Sequence, residues 1–426
     1  MRTRCHLHLV LMPLCVEILP MQIPSHIHTQ LLALVEKGST LNTYLYDLTP
    51  MQEKIALLRK IMPQGVEVFY AMKANPHKAF LTSARAADVT GIEIASLGEA
   101  TKAVAAGFLP SQLIYTGPGK SKEELTWCVE QGIRTIHIES LAEAHRIQNL
   151  CLQMGKTQDV LLRINADFDI HDAQTTFSGG SKKFGIDEEQ LDVALPQILA
   201  LSQLNFRGLH VYAASGVLSV SDLLHNCKLV FDLTQRIEAT YQGVHCDIID
   251  FGGGFGVDYL ESGTDFDPQA YADGLQAMIA EYGFAGRHFV LELGRWLAAD
   301  CGWFCTEIID IKTSRGKKQV ICAGGINHFR RPAALAINHP MNIVQLGKEQ
   351  LFASQESIQQ EKVYFGGPLC TSADKLANDV YIETANIGDI AVFGLAGAYG
   401  LSMSNVGFLS HATPEEIICT PTKENV

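Results

Sequence analysis

The chain has 426 residues, 47% hydrophobic and 19% charged, which excludes a disordered protein and leaves room for two cores. A formal net charge of −13 argues against sequence-independent nucleic-acid binding, yet permits a local arginine site for a small anion. Eleven cysteines without C-x-x-C spacing exclude a disulfide scaffold, and fifteen histidines form no H-E-x-x-H, so no metal site is expected.

Residues 1–20 carry Arg2 and Arg4 ahead of Leu9-Val10-Leu11-Met12, a faint signal-peptide pattern. His6, His8, Cys15 and Glu17 interrupt it, no A-x-A site follows, and Met21 serves equally as a start. Residues 1–42 are therefore read as an N-terminal extension and lead-in, and the sparse, reduced cysteines point to the cytoplasm. A short strand at 44–47 is placed to return to a later domain. Strands are then predicted at 68–72, 91–95, 113–115, 135–138, 160–164, 206–211, 247–251 and 289–293. Helices are expected between them, over 96–106, 121–131 and 141–154 among others. Such alternation fits an α/β fold, a (β/α)8 TIM-type barrel over 43–295, better than an open doubly wound sheet. Strands at 303–313, 319–323, 362–365 and 390–393 are joined by loops, so 296–426 reads as a β domain. No stretch is long and apolar enough to span a membrane.

Barrel enzymes keep their chemistry at the C-terminal ends of the strands. Lys73 ends the run Val68-Phe69-Tyr70-Ala71-Met72, where burial is expected to lower its pKa and make it a Schiff-base amine. A lone strand-end lysine is also a common snorkelling side chain. Gly252-Gly253-Gly254 follows Asp250-Phe251 and bares backbone N–H groups, as a phosphate cradle or as a tight turn. Glu292 and Arg295 end the last barrel strand, suited to a heterocyclic nitrogen and a phosphate, or to a structural ion pair. Cys370 lies in the loop Gly366-Gly367-Pro368-Leu369-Cys370-Thr371-Ser372-Ala373-Asp374, a better place for a reactive thiol than the strand residue Cys322, or an inert thiol. Tyr399 offers a phenol on the turn Ala396-Gly397-Ala398-Tyr399-Gly400.

Together these motifs resemble the fold-type III pyridoxal-phosphate decarboxylases, which include the diaminopimelate, ornithine and biosynthetic arginine enzymes. The resemblance runs from about Thr43 to about Phe408 and rests on Tyr70-Ala71-Met72-Lys73-Ala74-Asn75, His210, the glycine run, Glu292 with Arg295, Gly367-Pro368-x-Cys370 with Asp374, and Ala398-Tyr399. It implies a barrel plus a β domain, with pyridoxal 5′-phosphate held as a Schiff base by Lys73. It further implies that His210 stacks on the pyridine ring, Gly252, Gly253, Gly254 and Arg295 bind phosphate, and Glu292 contacts the ring nitrogen. Ser215 and Tyr399 would lie against the cofactor, and Cys370 would protonate the carbon after CO2 departs. The cysteine loop of this family reaches the other subunit's site, which implies a homodimer.

Departures from the family pattern bear on the substrate. Thr371 stands where the diaminopimelate and ornithine enzymes carry an acid for the distal ammonium, and a hydroxyl cannot compensate that charge. Arg331, in Asn327-His328-Phe329-Arg330-Arg331-Pro332-Ala333, matches the arginine that grips a distal carboxylate; Asp374 is placed with the substrate residues. Val211-Tyr212-Ala213-Ala214-Ser215-Gly216 and the 177–185 segment resemble the branch acting on siderophore precursors or carrier-bound amino acids. The expected substrate is a carboxylate-rich conjugate such as a citryl-diamino acid. The alternatives are a free amino acid such as diaminopimelate, a racemase on the same scaffold, or a non-catalytic homologue that binds a partner.

Overall fold

The computed structural model describes residues 21–38, 40–166, 175–176, 181–212, 214–347 and 355–421. The leader-like residues 1–20, residues 177–180 and Ala213 lie outside them. Eight parallel strands pair in chain order: Val66–Ala71, Gly91–Ile94, Leu113–Tyr115, Thr135–Ile138, Gln158–Asn165, Leu204–His210, Ile248–Asp250 and His288–Leu293. The last pairs with the first, Phe289 opposite Val66 through Leu293 opposite Tyr70, and closes the (β/α)8 barrel. Three helices open on a serine. Ser96, Ser121 and Ser140 each accept the backbone N–H of the glutamate three residues on, and at Ser96 and Ser140 strand end and helix cap are one short turn. Polar side chains placed at those turns therefore face the mouth of the barrel.

The second domain is a mixed sheet in the order Met341–Val344, Ile390–Phe393, Gly302–Ser314, Lys317–Cys322, Ile358–Gly366, Lys375–Ala385. The early strand Asn42–Tyr46 joins it, antiparallel to Gly302–Ser314 and parallel to Glu415–Ile418. The preceding segment is more than a lead-in. Helix Ser25–Val35 buries Ile27, Leu31 and Leu34 in a cluster with Leu45, Trp303 and Val392. Two hydrogen bonds tie this domain to the barrel mouth: Tyr399 N–H donates to the Ala74 carbonyl at 2.7 Å, and Asn75 Nδ2 to the Gly397 carbonyl at 2.9 Å. No described helix is long and apolar enough to cross a membrane.

Candidate active site

At the C-terminal ends of the barrel strands lies a cleft of about 350 Å3, lined by Lys73, Tyr212, Ser215, Gly253, Gly254, Glu292, Arg295 and Tyr399, among others. Seven of these eight are residues singled out by sequence; the eighth, Tyr212, was noted only within its segment.

Lys73 Nζ lies 2.9 and 3.0 Å from the two oxygens of Glu93, a carboxylate 1% exposed at the end of the second barrel strand. Burial alone would lower the Lys73 pKa, but Glu93 and Glu292 outweigh it and raise it. The sequence expectation of a depressed amine is thus corrected: without cofactor, Lys73 is an ammonium clamped by a carboxylate that the sequence reading did not single out. Its signal was a lone acid inside the apolar strand Gly91–Ile94.

The glycine run is shaped by close approach. Gly252 has φ +65°, and a Cβ there would meet the Tyr212 ring at 2.5 Å; a Cβ on Gly253 would meet the Glu292 carbonyl at 2.5 Å. Across the cleft, Arg295 Nη2 is 3.4 Å from Ser215 Oγ, while its buried Nε and Nη1 have no hydrogen-bond partner among the described residues. A buried guanidinium left open beside bare backbone amides fits the phosphate of pyridoxal phosphate. The same cleft presents an amine and a carboxylate, Lys73 and Glu292, for the carbonyl and the ring nitrogen.

Glu292 is the hub of a buried polar cluster. Thr116 Oγ1 donates to its Oε1 at 3.0 Å, and His137, His210 and Asp250 pack round it with ligand-type atoms all within 4.8 Å. That spacing would accept a metal, yet His137 already uses both ring nitrogens on neighbouring hydroxyls, Thr116 at 3.1 Å and Thr135 at 3.3 Å. Burial, with Glu93 close by, pushes Glu292 up to about 7, and burial with Glu292 raises Asp250 well above the usual carboxylate range. An acid raised on folding contributes stability below its unfolded value of 4.5 that is lost as pH climbs to about 7. In cofactor-free protein this loss is on the order of 3 kcal/mol. Thermal unfolding followed between about pH 5 and about pH 8 should show Glu292→Gln declining less steeply than wild type; equal slopes would contradict the assignment.

The remaining residues divide. Tyr399 takes a left-handed φ of +54° and carries the Arg295 guanidinium 4.9 Å over its ring. His210 is fully buried, its Nε2 3.9 Å from Glu292 Oε2. Among the described residues Cys370 is the exposed cysteine and eight others are buried; it and Thr371 do not line the cleft. Cys322 is inert by comparison, since burial pushes its thiol up. Asp374 shapes the cysteine loop: its two oxygens accept the Ile326 and Leu369 N–H groups at 2.7 and 2.8 Å. Arg331 is 1% exposed, stacked 3.6 Å from the Tyr259 ring, which Arg295 also faces at 6.0 Å.

A strand-end lysine, a buried carboxylate and a glycine cradle beside an open guanidinium, at one barrel mouth, are the parts of a pyridoxal-phosphate enzyme. The chain belongs to the pyridoxal-dependent decarboxylases: residues 48–299 match the family model for the pyridoxal-dependent decarboxylase, pyridoxal binding domain. It is 33% identical over 383 residues to the 2-[(L-alanin-3-ylcarbamoyl)methyl]-2-hydroxybutanedioate decarboxylase of Staphylococcus aureus, covering 90% of this chain and 95% of that one. It is also 33% identical to the L-glutamyl-[BtrI acyl-carrier protein] decarboxylase of Niallia circulans, covering 88% of each. Diaminopimelate decarboxylase from Helicobacter pylori, solved with L-lysine, shares the fold with a TM-score of 0.80 at 23% identity, over 91% of this chain and 93% of that one. The protein is a pyridoxal-phosphate-dependent carboxy-lyase.

Proposed function

We propose that the substrate is an amino-acid-like molecule with a carboxylate-bearing tail, such as a citryl-diamino acid formed during siderophore assembly. The observation that carries this is Arg331. Burial, with Arg295 adding repulsion, pushes its pKa down to about 10, so it stays charged at neutral pH, and an anionic tail would relieve the strain of two neighbouring guanidiniums. Thr371 supplies no carboxylate for a distal ammonium. The S. aureus relative is named for a substrate that joins an alanine unit through an amide to a hydroxybutanedioate, a tail of this kind. Diaminopimelate, the second reading, offers Arg331 a carboxylate but leaves its distal ammonium uncompensated at Thr371.

Bound pyridoxal phosphate supplies an electron-withdrawing ring that accepts the electron pair left by the departing carboxylate. Gly252, Gly253, Gly254, Ser215 and Arg295 would hold its phosphate, Glu292 would keep a proton at its ring nitrogen, and His210 would back the ring. Lys73 would hold the cofactor's carbonyl carbon, and Glu93 is placed to take the amine when it is free. Arg331 anchors the tail, Tyr399 with Arg295 walls the cleft, and the Cys370 thiol returns a proton to carbon. Because Cys370 is exposed and outside the cleft of its own chain, this reading makes the enzyme a homodimer whose loops cross between subunits.

Measuring kcat/KM for CO2 release from citryl-diaminopropionate, diaminopimelate, ornithine, lysine and arginine tests the substrate: the conjugate should lead, and preference for a free basic amino acid would sink the proposal. Mixing inactive Lys73→Ala and Cys370→Ala chains in equal amounts should restore about a quarter of wild-type activity, since half the dimers are hybrids with one intact site. No recovery on mixing contradicts the shared site.

A further inference from the structure

We propose that His137 is a positioning residue that, through Thr116, directs a hydrogen bond onto Glu292 and, by its own contact, sets which nitrogen of His210 carries the proton. The inference rests on the reading that Glu292 and His210 face the cofactor ring. His137 belongs to the strand Thr135–Ile138 and is 0% exposed, with its ring 4.7 Å from that of His210.

The hydrogen bonds assign the protons in sequence. Thr116 commits its hydroxyl proton to Glu292 Oε1 at 3.0 Å, so its oxygen can only accept from His137 Nδ1 at 3.1 Å. His137 therefore carries its proton on Nδ1. That same nitrogen lies 3.2 Å from His210 Nδ1, which must be the bare nitrogen of a neutral ring. The His210 proton is thereby driven to Nε2, on the side of Glu292 Oε2 at 3.9 Å. On its other edge His137 Nε2 accepts from Thr135 Oγ1 at 3.3 Å, with Asp250 Oδ2 at 3.7 Å. Burial, reinforced by Lys120 and Arg163 for His137 and by His137 and Arg163 for His210, holds both rings well below the ordinary histidine range, consistent with two neutral imidazoles. With its proton on Nδ1, His137 both leaves Thr116 free to donate to the carboxylate and orients the imidazole behind the ring.

The experiment separates proton placement from simple filling of space. Asparagine reproduces a donor at the Nδ1 position, whereas glutamine reaches the Nε2 position. His137→Asn should therefore keep the visible absorbance maximum and the affinity of bound pyridoxal phosphate, with kcat within about threefold of wild type. His137→Gln and Thr116→Val should each shift that maximum, weaken cofactor binding and lower kcat about ten- to a hundredfold, with KM little changed. Equal behaviour of the Asn and Gln variants, or an unmoved spectrum in Thr116→Val, overturns the proposal. Wild-type protein that takes up no pyridoxal phosphate would instead overturn the reading on which it rests.

Discussion

Lys73→Ala should lower CO2 release by at least about a thousandfold, because it removes the amine that carries the cofactor and shuttles its substrate. The purified variant should also lack the visible absorbance of covalently held pyridoxal phosphate, while free Glu93, 1% exposed and stripped of its cation, becomes a buried unpaired charge. Lys73→Arg restores a cation for Glu93, which Lys73 meets at 2.9–3.0 Å, but no usable amine, so it should recover stability without activity. Absorbance, thermal unfolding and a CO2 assay on the two variants check both halves. Retained visible absorbance in Lys73→Ala would assign the cofactor to another lysine.

The second large effect is on substrate choice. Arg331→Met should lower kcat/KM for a carboxylate-tailed substrate about a hundredfold, chiefly through KM, since one charge-assisted anchor is lost. Arg331→Lys should lie between, about tenfold down: it keeps the charge but not the fork that contacts His339 Nε2 at 2.7 Å. That contact fixes His339 as the tautomer with its proton on Nδ1, directed at the Gly394 carbonyl 2.9 Å away. Steady-state kinetics on the conjugate and on a free basic amino acid check the claim. If Arg331→Met loses activity equally on both, the arginine serves the fold and not the tail.

Much of the barrel was legible because strand and helix periods alternate without interruption. Leu113–Tyr115, Thr135–Ile138 and Leu141–Met154 have the boundaries their residues imply. The strands Val66–Ala71, Gln158–Asn165 and Leu204–His210 begin two residues before the predicted ones, since backbone pairing continues through Glu67, Asp159 and Asn205, polar residues that interrupt the apolar runs. Lys375–Ala385 was hidden for a local reason: Asn378-Asp379 breaks the alternation, Asp379 takes φ +53°, and the register against Ile358–Gly366 shifts nearby. Helix Ser25–Val35 carries a readable face in Ile27, Leu31 and Leu34, but its partners Trp303 and Val392 are remote in sequence.

The site divides in the same way. Lys73, the glycine run, Glu292 and Arg295 announce themselves by residue type at strand ends. Glu93 is the lone acid of its strand and His137 shares a short strand with Thr135; pairing of the first two barrel strands brings Glu93 to Lys73, and closure of the barrel joins Thr116 to Glu292 across 176 residues. Asp374 stands out by its place in a motif, but its bonds to the Ile326 and Leu369 amides emerge only with the fold.

The most direct measurement uses citryl-diaminopropionate isotopically labelled in the carboxylate next to the amine. Mass spectrometry of gas and product should find the label wholly in CO2, with the tail carboxylates intact in the amine product, and no release by Lys73→Ala. Label retained in the product, or carbon dioxide drawn from the tail, would contradict the account.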